Sequence, residues 1–541
     1  MRGGARVLPG GPTTRRGWAS AAYRLAPLIA MGSALASPQF AAHPCAPCHA
    51  KQVEGYFKSG MGRSLSRAFD QPGGSFRHTA SGTRFEIAVG GGTMRQRIER
   101  RGMEAEYPID YTIGSGNAGY GFLVKAGDRL FQSPVSYYTK SRKCEIAPGY
   151  EAASHPDFNR PVTAECVWCH AGRPLHIAES VNRYREPVFE FEAISCDRCH
   201  GPVENHLKRP LAATIVNPRK LPQTLRQGVC EQCHLGGEAR VLNLGRSWGD
   251  FQPGMPTEEV FSVYVYSRPP EAPGREDFKV VSHVEQLAQS LCARRSEGRM
   301  WCGTCHNPHV NPTDPASHYR ERCLSRHSEA LPASHPQPAG DCVSCHMARR
   351  QGRDSGHSAF TDHRIARRIV TRAESTPPRD LRAWRELSGV LAARNLGLAY
   401  IRVGNRDSSE YHFNRGYALL AENAASLAND PEVLVAMGEV LMLKAKPKEA
   451  LLLFERAVRL RPGDALLYPN VAVAWKALGS HGKAIAAAER AIELDPYLDS
   501  AYSILAAIYQ EAGQPQLARQ TWQRYLARMP QILFARVAAR Q

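Results

Sequence analysis

The sequence predicts a mainly α chain in two parts, a loop-rich first part with short helices and a few β-hairpins, then an α-solenoid of paired helices. Three observations predict it. Gly and Pro number 45 and 38 among 541 residues and lie mostly before about residue 380, where they cut the chain into short elements. After about residue 375 Ala and Leu dominate. In that stretch small and aromatic residues recur every 34 positions. The length also exceeds what one ordinary core accommodates, so two or more domains are expected.

The helical part is the more regular. Pro462, Pro496 and Pro530 form one column, Ala450, Ala484 and Ala518 a second, and Leu441, Trp475 and Tyr509 a third. Gly479 and Gly513 share a fourth, with Ala445 in the preceding unit. This is the tetratricopeptide (TPR) pattern, in which small residues let paired helices approach and proline follows the second helix. Units are expected at 431–464, 465–498 and 499–532, with a degenerate one around 387–420, inside a TPR domain over 381–535. Such an array offers a concave surface for a partner protein or peptide, or serves only as a stabilising scaffold. Residues 371–380, with Pro377-Pro378, read as the linker.

The N-terminus reads as a secretion leader over 1–36. Arg2, Arg6, Arg15, Arg16 and Arg24 give a basic start, and Leu25 to Ala36 is a short apolar run ending in an A-x-A pattern. No run of eighteen apolar residues exists to span a membrane. An exported protein, periplasmic or on the outer cell surface, is expected.

Fifteen cysteines in an exported chain suggest disulfides, but twelve of them fall into six copies of Cys-x-x-Cys-His. These are Cys45/Cys48/His49, Cys166/Cys169/His170, Cys196/Cys199/His200, Cys230/Cys233/His234, Cys302/Cys305/His306 and Cys342/Cys345/His346. Chance would give on the order of 0.02 such matches. Cysteines three apart share one side of a helical turn. Their sulfurs can add to the two vinyl groups on one edge of a haem, and the next residue then ligates the iron. Zinc also uses Cys-x-x-Cys pairs but does not require His after every second cysteine. The expected cofactor is haem c, six covalent, with a seventh left open at Cys323-Leu-Ser-Arg326-His327. There Arg326 replaces the second cysteine, so Cys323 and His327 hold haem through one thioether or mark a lost site. Cys144 and Cys292 are free, or paired with each other or with Cys323.

Twelve further histidines precede residue 364, enough for a second imidazole on every iron. The distal candidates are His78, His206, His283, His309, His357 and His363. His43, His155, His176, His318 and His335 read as ordinary hydrogen-bonded histidines, and Met61 is a lesser ligand candidate. Two imidazoles per iron close it to substrate and suit electron transfer. The formal charge of +18 could indicate a nucleic-acid partner. Haem propionates account for it better, because arginine suits carboxylates.

Several stretches then carry a resemblance. Tyr111-Thr-Ile-Gly-Ser-Gly116, Phe131-Gln-Ser-Pro-Val-Ser-Tyr137, Ile215-Val-Asn-Pro-Arg219, His283-Val-Glu-Gln-Leu-Ala288 and Phe360-Thr-Asp-His-Arg364 make the chain similar to multihaem cytochromes related to hydroxylamine oxidoreductase and its tetrahaem electron acceptor. It resembles in particular bacterial proteins that join that module to C-terminal TPRs. The resemblance implies a multihaem cytochrome c domain over 42–370 and strengthens His206, His283, His309 and His363 as distal ligands. The family pattern has Cys at Arg326 and tryptophan at Cys144. Electron transfer with redox partner proteins, docked through the TPRs, is the first functional expectation. One alternative is a multihaem oxidoreductase acting on small nitrogen or sulfur compounds at one open haem. Another is a TPR assembly module tethering a haem wire to a larger complex. No Cys-x-x-Cys-Lys occurs, the mark of the catalytic haem in related nitrite reductases, so the carrier is favoured over an enzyme.

Overall fold

The computed structural model describes residues 43–153, 155–158, 160–267, 278–327, 335, 341–352, 358–366 and 380–540. The leader 1–36, the linker up to residue 379 and His357 lie outside the described residues.

The first part contains far more sheet than a few hairpins. Strands β1 (Leu65–Arg67), β2 (Gly74–His78), β3 (Thr83–Gly90), β4 (Thr93–Arg100), β5 (Met103–Ile109), β6 (Tyr111–Ile113), β7 (Gly119–Ala126), β8 (Arg129–Tyr138), β9 (Lys143–Ile146) and β10 (Arg160–Pro161) form two antiparallel sheets. One runs β2-β3-β4-β5; the other runs β1-β6-β7-β8-β10, with β9 also on β8. Alternation drives them, since Phe85 and Ile87 of β3 face Ile98 and Gln96 of β4 and point inward. Gly91 and Gly92 close that hairpin with φ of 60° and 71°, the left-handed conformations that match strand twist and that glycine adopts without strain. β11 (Gly172–His176) and β12 (Tyr184–Phe191) make a further hairpin. Downstream, β13 (Ala239–Leu242), β14 (Phe261–Tyr266) and β17 (Leu381–Ala383) form a three-stranded sheet, and β15 (Arg349–Gln351) pairs with β16 (Ala359–Thr361).

Short helices carry the cysteine motifs. The helices of this part are α1 (Ala46–Phe57), α2 (Ala164–Trp168), α3 (Asp197–His200), α4 (Glu204–Lys208), α5 (Gln223–His234), α6 (His283–Gln289), α7 (Leu291–Arg295), α8 (Cys302–Cys305), α9 (Pro315–His327) and α10 (Cys342–His346), and α1, α2, α3, α5, α8 and α10 hold the motifs.

The second part is an array of helix pairs. α11 (Gly389–Asp407) and α12 (Glu410–Glu422) form the degenerate first pair. Then come α13 (Pro431–Leu443) with α14 (Pro447–Leu460), α15 (Leu467–Ala477) with α16 (His481–Leu494), and α17 (Asp499–Glu511) with α18 (Pro515–Arg528), before a terminal α19 (Leu533–Ala538). Each repeating proline falls just beyond the second helix of a pair. Ala450, Ala484 and Ala518 are all buried, where a larger side chain would separate the helices. Gly479 and Gly513 take φ of 70° and 71° in the turn between paired helices, and Ala445 is held at 55° in the same position.

The two parts share one core. Phe85, Ile98, Phe122 and Phe158 of the first part belong to the same apolar cluster as Ile492, Tyr502, Leu505, Trp522 and Tyr525 of the repeats. Buried Asp157 accepts the Leu533 amide at 2.8 Å, and buried Arg129 of β8 pairs with Asp495 after α16.

Candidate haem-binding site

Each motif lies on a single helical turn. In three of them the histidine amide donates to the carbonyl of the first cysteine four residues back, His49 to Cys45, His200 to Cys196 and His306 to Cys302, each at 2.9 Å. That bond sets the two thiols on one side and turns the imidazole beneath them. Motif four ends α5, motif six forms α10, and motif two straddles the end of α2.

The motifs adjoin one another. Thiols of different motifs lie in hydrogen-bond contact, Cys45 with Cys196, Cys169 with Cys233 and Cys230 with Cys302. The thiol of Cys323 meets Cys342 in the same way, and Cys292 and Cys305 lie near it. His327, on the same helix, is exposed. All fifteen cysteines are free, Cys144 among them, buried in β9.

The protein does not cover the twelve motif thiols alike. Cys48, Cys166 and Cys345 are exposed, whereas the other nine are partly covered, so the six motifs are less uniform than their shared spacing suggests. The cause is local. α1 buries only Val53 and Tyr56, both beyond Cys48, and α10 buries none of its residues, which leaves Cys345 uncovered. On α2 the buried positions belong to Val167 and Trp168, and Cys166 is exposed with the Thr163 hydroxyl beside it at 3.4 Å. A thiol that adds to a vinyl group needs access to that group rather than a protein wall, so exposure at these three positions is compatible with attachment.

Distant histidines converge on the motif histidines. His49 faces His206 of α4 with ring centroids 6.4 Å apart and planes 18° apart. His200 faces His309 at 6.0 Å and 23°. His306 faces His363 at 6.2 Å and 33°. His346 faces His335 at 6.1 Å and 23°. His234 lies 5.5 Å from His283, which in turn lies 4.8 Å from His363, so these rings cluster. Among the described residues no ring pairs with His170.

The hydrogen bonds select one nitrogen. Nδ1 of His200 donates to the Val216 carbonyl at 2.8 Å, Nδ1 of His346 to Ala366 at 2.9 Å, and Nδ1 of His363 to Thr361 at 2.9 Å. Nδ1 of His206 lies 3.2 Å from the Leu211 carbonyl and 3.1 Å from the Thr214 hydroxyl. A backbone acceptor on Nδ1 leaves the Nε2 lone pair for a metal, the usual arrangement of ligating histidines. Desolvation holds several of these imidazoles neutral. It pushes His170 and His306 down to about 4 and His283 to about 3, with neighbouring imidazoles adding to the effect.

The residues fit haem on three counts. An imidazole nitrogen sits about 2 Å from a metal, so two rings facing across one have centroids on the order of 6 Å apart, the spacing of four pairs here. The paired thiols match the vinyl edge. Buried Nε groups of Arg198, Arg226 and Arg240 have no partner among the described residues and suit propionate carboxylates.

Two histidines depart from their sequence expectations. His78 stands apart in β2, where Nδ1 contacts the Ser81 hydroxyl and Nε2 the Glu151 carbonyl, both at 2.9 Å, so neither nitrogen is left for iron. His335, read as an ordinary histidine, is the one that meets His346. Its only signal in the sequence is nearness to the sixth motif.

No family model matches the chain. The inactive TPR repeat-containing thioredoxin TTL3 and the TPR repeat-containing thioredoxin TTL4, both from Arabidopsis thaliana, are 33% and 32% identical to it over 99 residues, 18% of this chain. The chain spans only 14% of the length of these curated relatives. Among solved structures, MamA is 21% identical with a TM-score of 0.23, covering 25% of this chain and 80% of MamA. TTC0263, a thermophilic TPR protein in Thermus thermophilus, is 20% identical with a TM-score of 0.24, covering 27% of this chain and 79% of TTC0263. The C-terminal segment is thus of the TPR type, a class of protein-interaction repeat. No helix among the described residues is long and apolar enough to cross a membrane.

Proposed function

We propose that this chain is an exported multihaem c-type cytochrome, working in the periplasm or at the outer cell surface, that carries electrons between redox partner proteins. The observation that carries the proposal is the facing of four motif histidines by second histidines with centroids 6.0–6.4 Å apart. Haem bound at the motifs supplies reversible one-electron chemistry at its iron. The chain's residues do the rest. The twelve motif cysteines anchor by thioethers, the exposed Cys48, Cys166 and Cys345 among them. The motif histidines would ligate the iron, and His206, His309, His363 and His335, which face them, would supply the second imidazole and keep substrate out. Carbonyl acceptors on Nδ1 fix the rings and raise the donor strength of Nε2. Arg198, Arg226 and Arg240 neutralise carboxylates out of reach of water. Thiol contacts draw motif one to motif three, and motifs two and five to motif four.

Anaerobic reductive titration tests this. The proposal expects about one electron per motif, with a c-type absorption spectrum and low-spin resonance signals. A purified protein that takes up none refutes it.

One observation favours a second reading, an oxidoreductase of small nitrogen or sulfur compounds. His170 has no facing imidazole among the described residues, so an iron held there would keep an open position. A high-spin ferric signal that shifts when nitrite or hydroxylamine is added supports this reading. A wholly low-spin spectrum unmoved by either refutes it.

A further inference from the structure

Solenoids of helix pairs bind extended segments on the concave surface lined by the first helix of each pair. In the first pair here that helix is α11. One face of α11 packs on its own partner, with Gly397 against Leu420, Ile401 against Gly416 and Gly404 against Phe413. The adjoining side, carrying Arg394, Leu398 and Arg402, is covered at Arg394 and Leu398, while Arg402 stays partly open to solvent. It lies on strand β13.

The polar contacts run in order along both elements. Arg394 donates to the Leu242 carbonyl at 2.8 Å, Arg402 to the Arg240 carbonyl, and Arg406 to the Glu238 carbonyl at 3.0 Å. The acceptors are alternate residues of an extended segment; the donors are spaced along one side of a helix running the other way. Asn395 extends the row to the Asn243 side chain at 2.7 Å and the Ser262 hydroxyl at 2.9 Å. Between the polar rows Ala239, Val241 and Tyr264 share a core with Leu398 and Ile401. β13 is the edge of its sheet, with β14 its strand neighbour among the described residues. Exposed edges of this kind are ready to pair with other chains unless covered.

We infer that the first helix pair of the TPR segment is a binding groove occupied in cis, by the chain's own edge strand β13, and that it positions the residues around motifs two and four. The strand it grips carries Arg240. That side chain reaches back to donate to the Gln232 carbonyl at 2.9 Å, within motif four, and its guanidinium lies 3.7 Å from the Cys169 sulfur of motif two. The start of the repeats touches the same place again, where Arg385 pairs with buried Glu231 between the two cysteines of motif four at 2.7 Å. The groove of the first pair is therefore unavailable to an outside peptide, and the repeats act there as a clamp. The clamp holds whatever the motifs bind.

Amide hydrogen exchange on the full-length protein, purified with whatever cofactors it carries, tests it. The variant Arg402→Glu with Arg406→Glu should raise exchange in 237–243 and 389–407 together, by at least tenfold, and leave 467–528 unchanged. A synthetic peptide of sequence 236–244 should not bind the wild-type protein. Arg402→Gln, which removes the charge without reversing it, should give a smaller rise over the same two segments and is read by the same criterion if the double variant fails to fold. An unchanged strand beside a loosened α11, or wild-type protein that binds the peptide, overturns the inference.

Discussion

One buried ion pair adds to the shared apolar core in fastening the repeats to the sheets, and its removal has a calculable cost. Arg129 of β8 and Asp495 are 5% and 13% exposed in their side chains. The same guanidinium lies 4.4 Å from the Tyr497 ring centroid and pairs with Asp128 at 2.8 Å. Arg129→Met keeps the apolar stem and removes the charge. Asp495 is then left with the Tyr497 amide at 3.0 Å and no cation. Breaking a buried pair from one side costs about 3–5 kcal/mol, and the lost cation–ring contact adds about 0.5–1 kcal/mol. Because Asp495 is not wholly dry, we expect a cost at the lower end, about 3 kcal/mol. Asp495→Asn should cost less, since Arg129 keeps Asp128. The assay is a double-mutant cycle in chemical denaturation, followed by the far-ultraviolet circular dichroism that the helical repeats dominate. A coupling energy of about 2 kcal/mol is expected, well above the roughly 0.5 kcal/mol scatter of independent sites. Additive costs would refute the claim that this pair fastens the repeats to the sheets.

Further outcomes follow from single residues. Burial pushes the Asp157 carboxyl up to about 6 from 3.8, against the pull of its backbone amide donors. A raised carboxyl stabilises the fold fully below its unfolded value and loses that contribution as pH rises through the folded one, about 3 kcal/mol in all. Asp157→Asn should flatten the fall in stability between about pH 4 and pH 6; an unchanged pH profile would contradict this. Ala445 holds a left-handed φ of 55° where the next two repeats have Gly479 and Gly513, so Ala445→Gly should stabilise by about 1 kcal/mol, read as a raised melting temperature. His206→Ala should leave the covalent cofactor count unchanged and convert one low-spin signal to high-spin; no spectral change would remove His206 as a ligand.

What the sequence made legible is what neighbouring residues encode. The six motifs and the proline and alanine columns are local patterns, readable without the fold. The same spacing said nothing of surroundings, so the exposure of Cys48 and Cys345 beside the covered Cys45 and Cys342 was not legible in it. The sheets were legible in principle, since Phe85, Ile87 and Val89, then Met94, Gln96 and Ile98, alternate on either side of Gly91-Gly92. The abundance of Gly and Pro pointed instead to loops, although glycine here turns hairpins. The pairing of His49 with His206, or His200 with His309, depends on how distant segments meet, which no local pattern states. His78 shows the converse. Its local context made it a candidate, but it is buried with both ring nitrogens taken by Ser81 and Glu151. The grip of α11 on β13 was hidden because arginine columns on a helix read equally well as a solvated face.

The most direct test of the central claim is the intact mass of the mature protein. Six covalent haems are expected above the polypeptide mass left after leader removal, one for each Cys-x-x-Cys-His. A seventh increment that disappears in Cys323→Ala would assign a single-thioether site to Cys323 and His327. A bare polypeptide mass, or one accompanied only by zinc, would contradict the account.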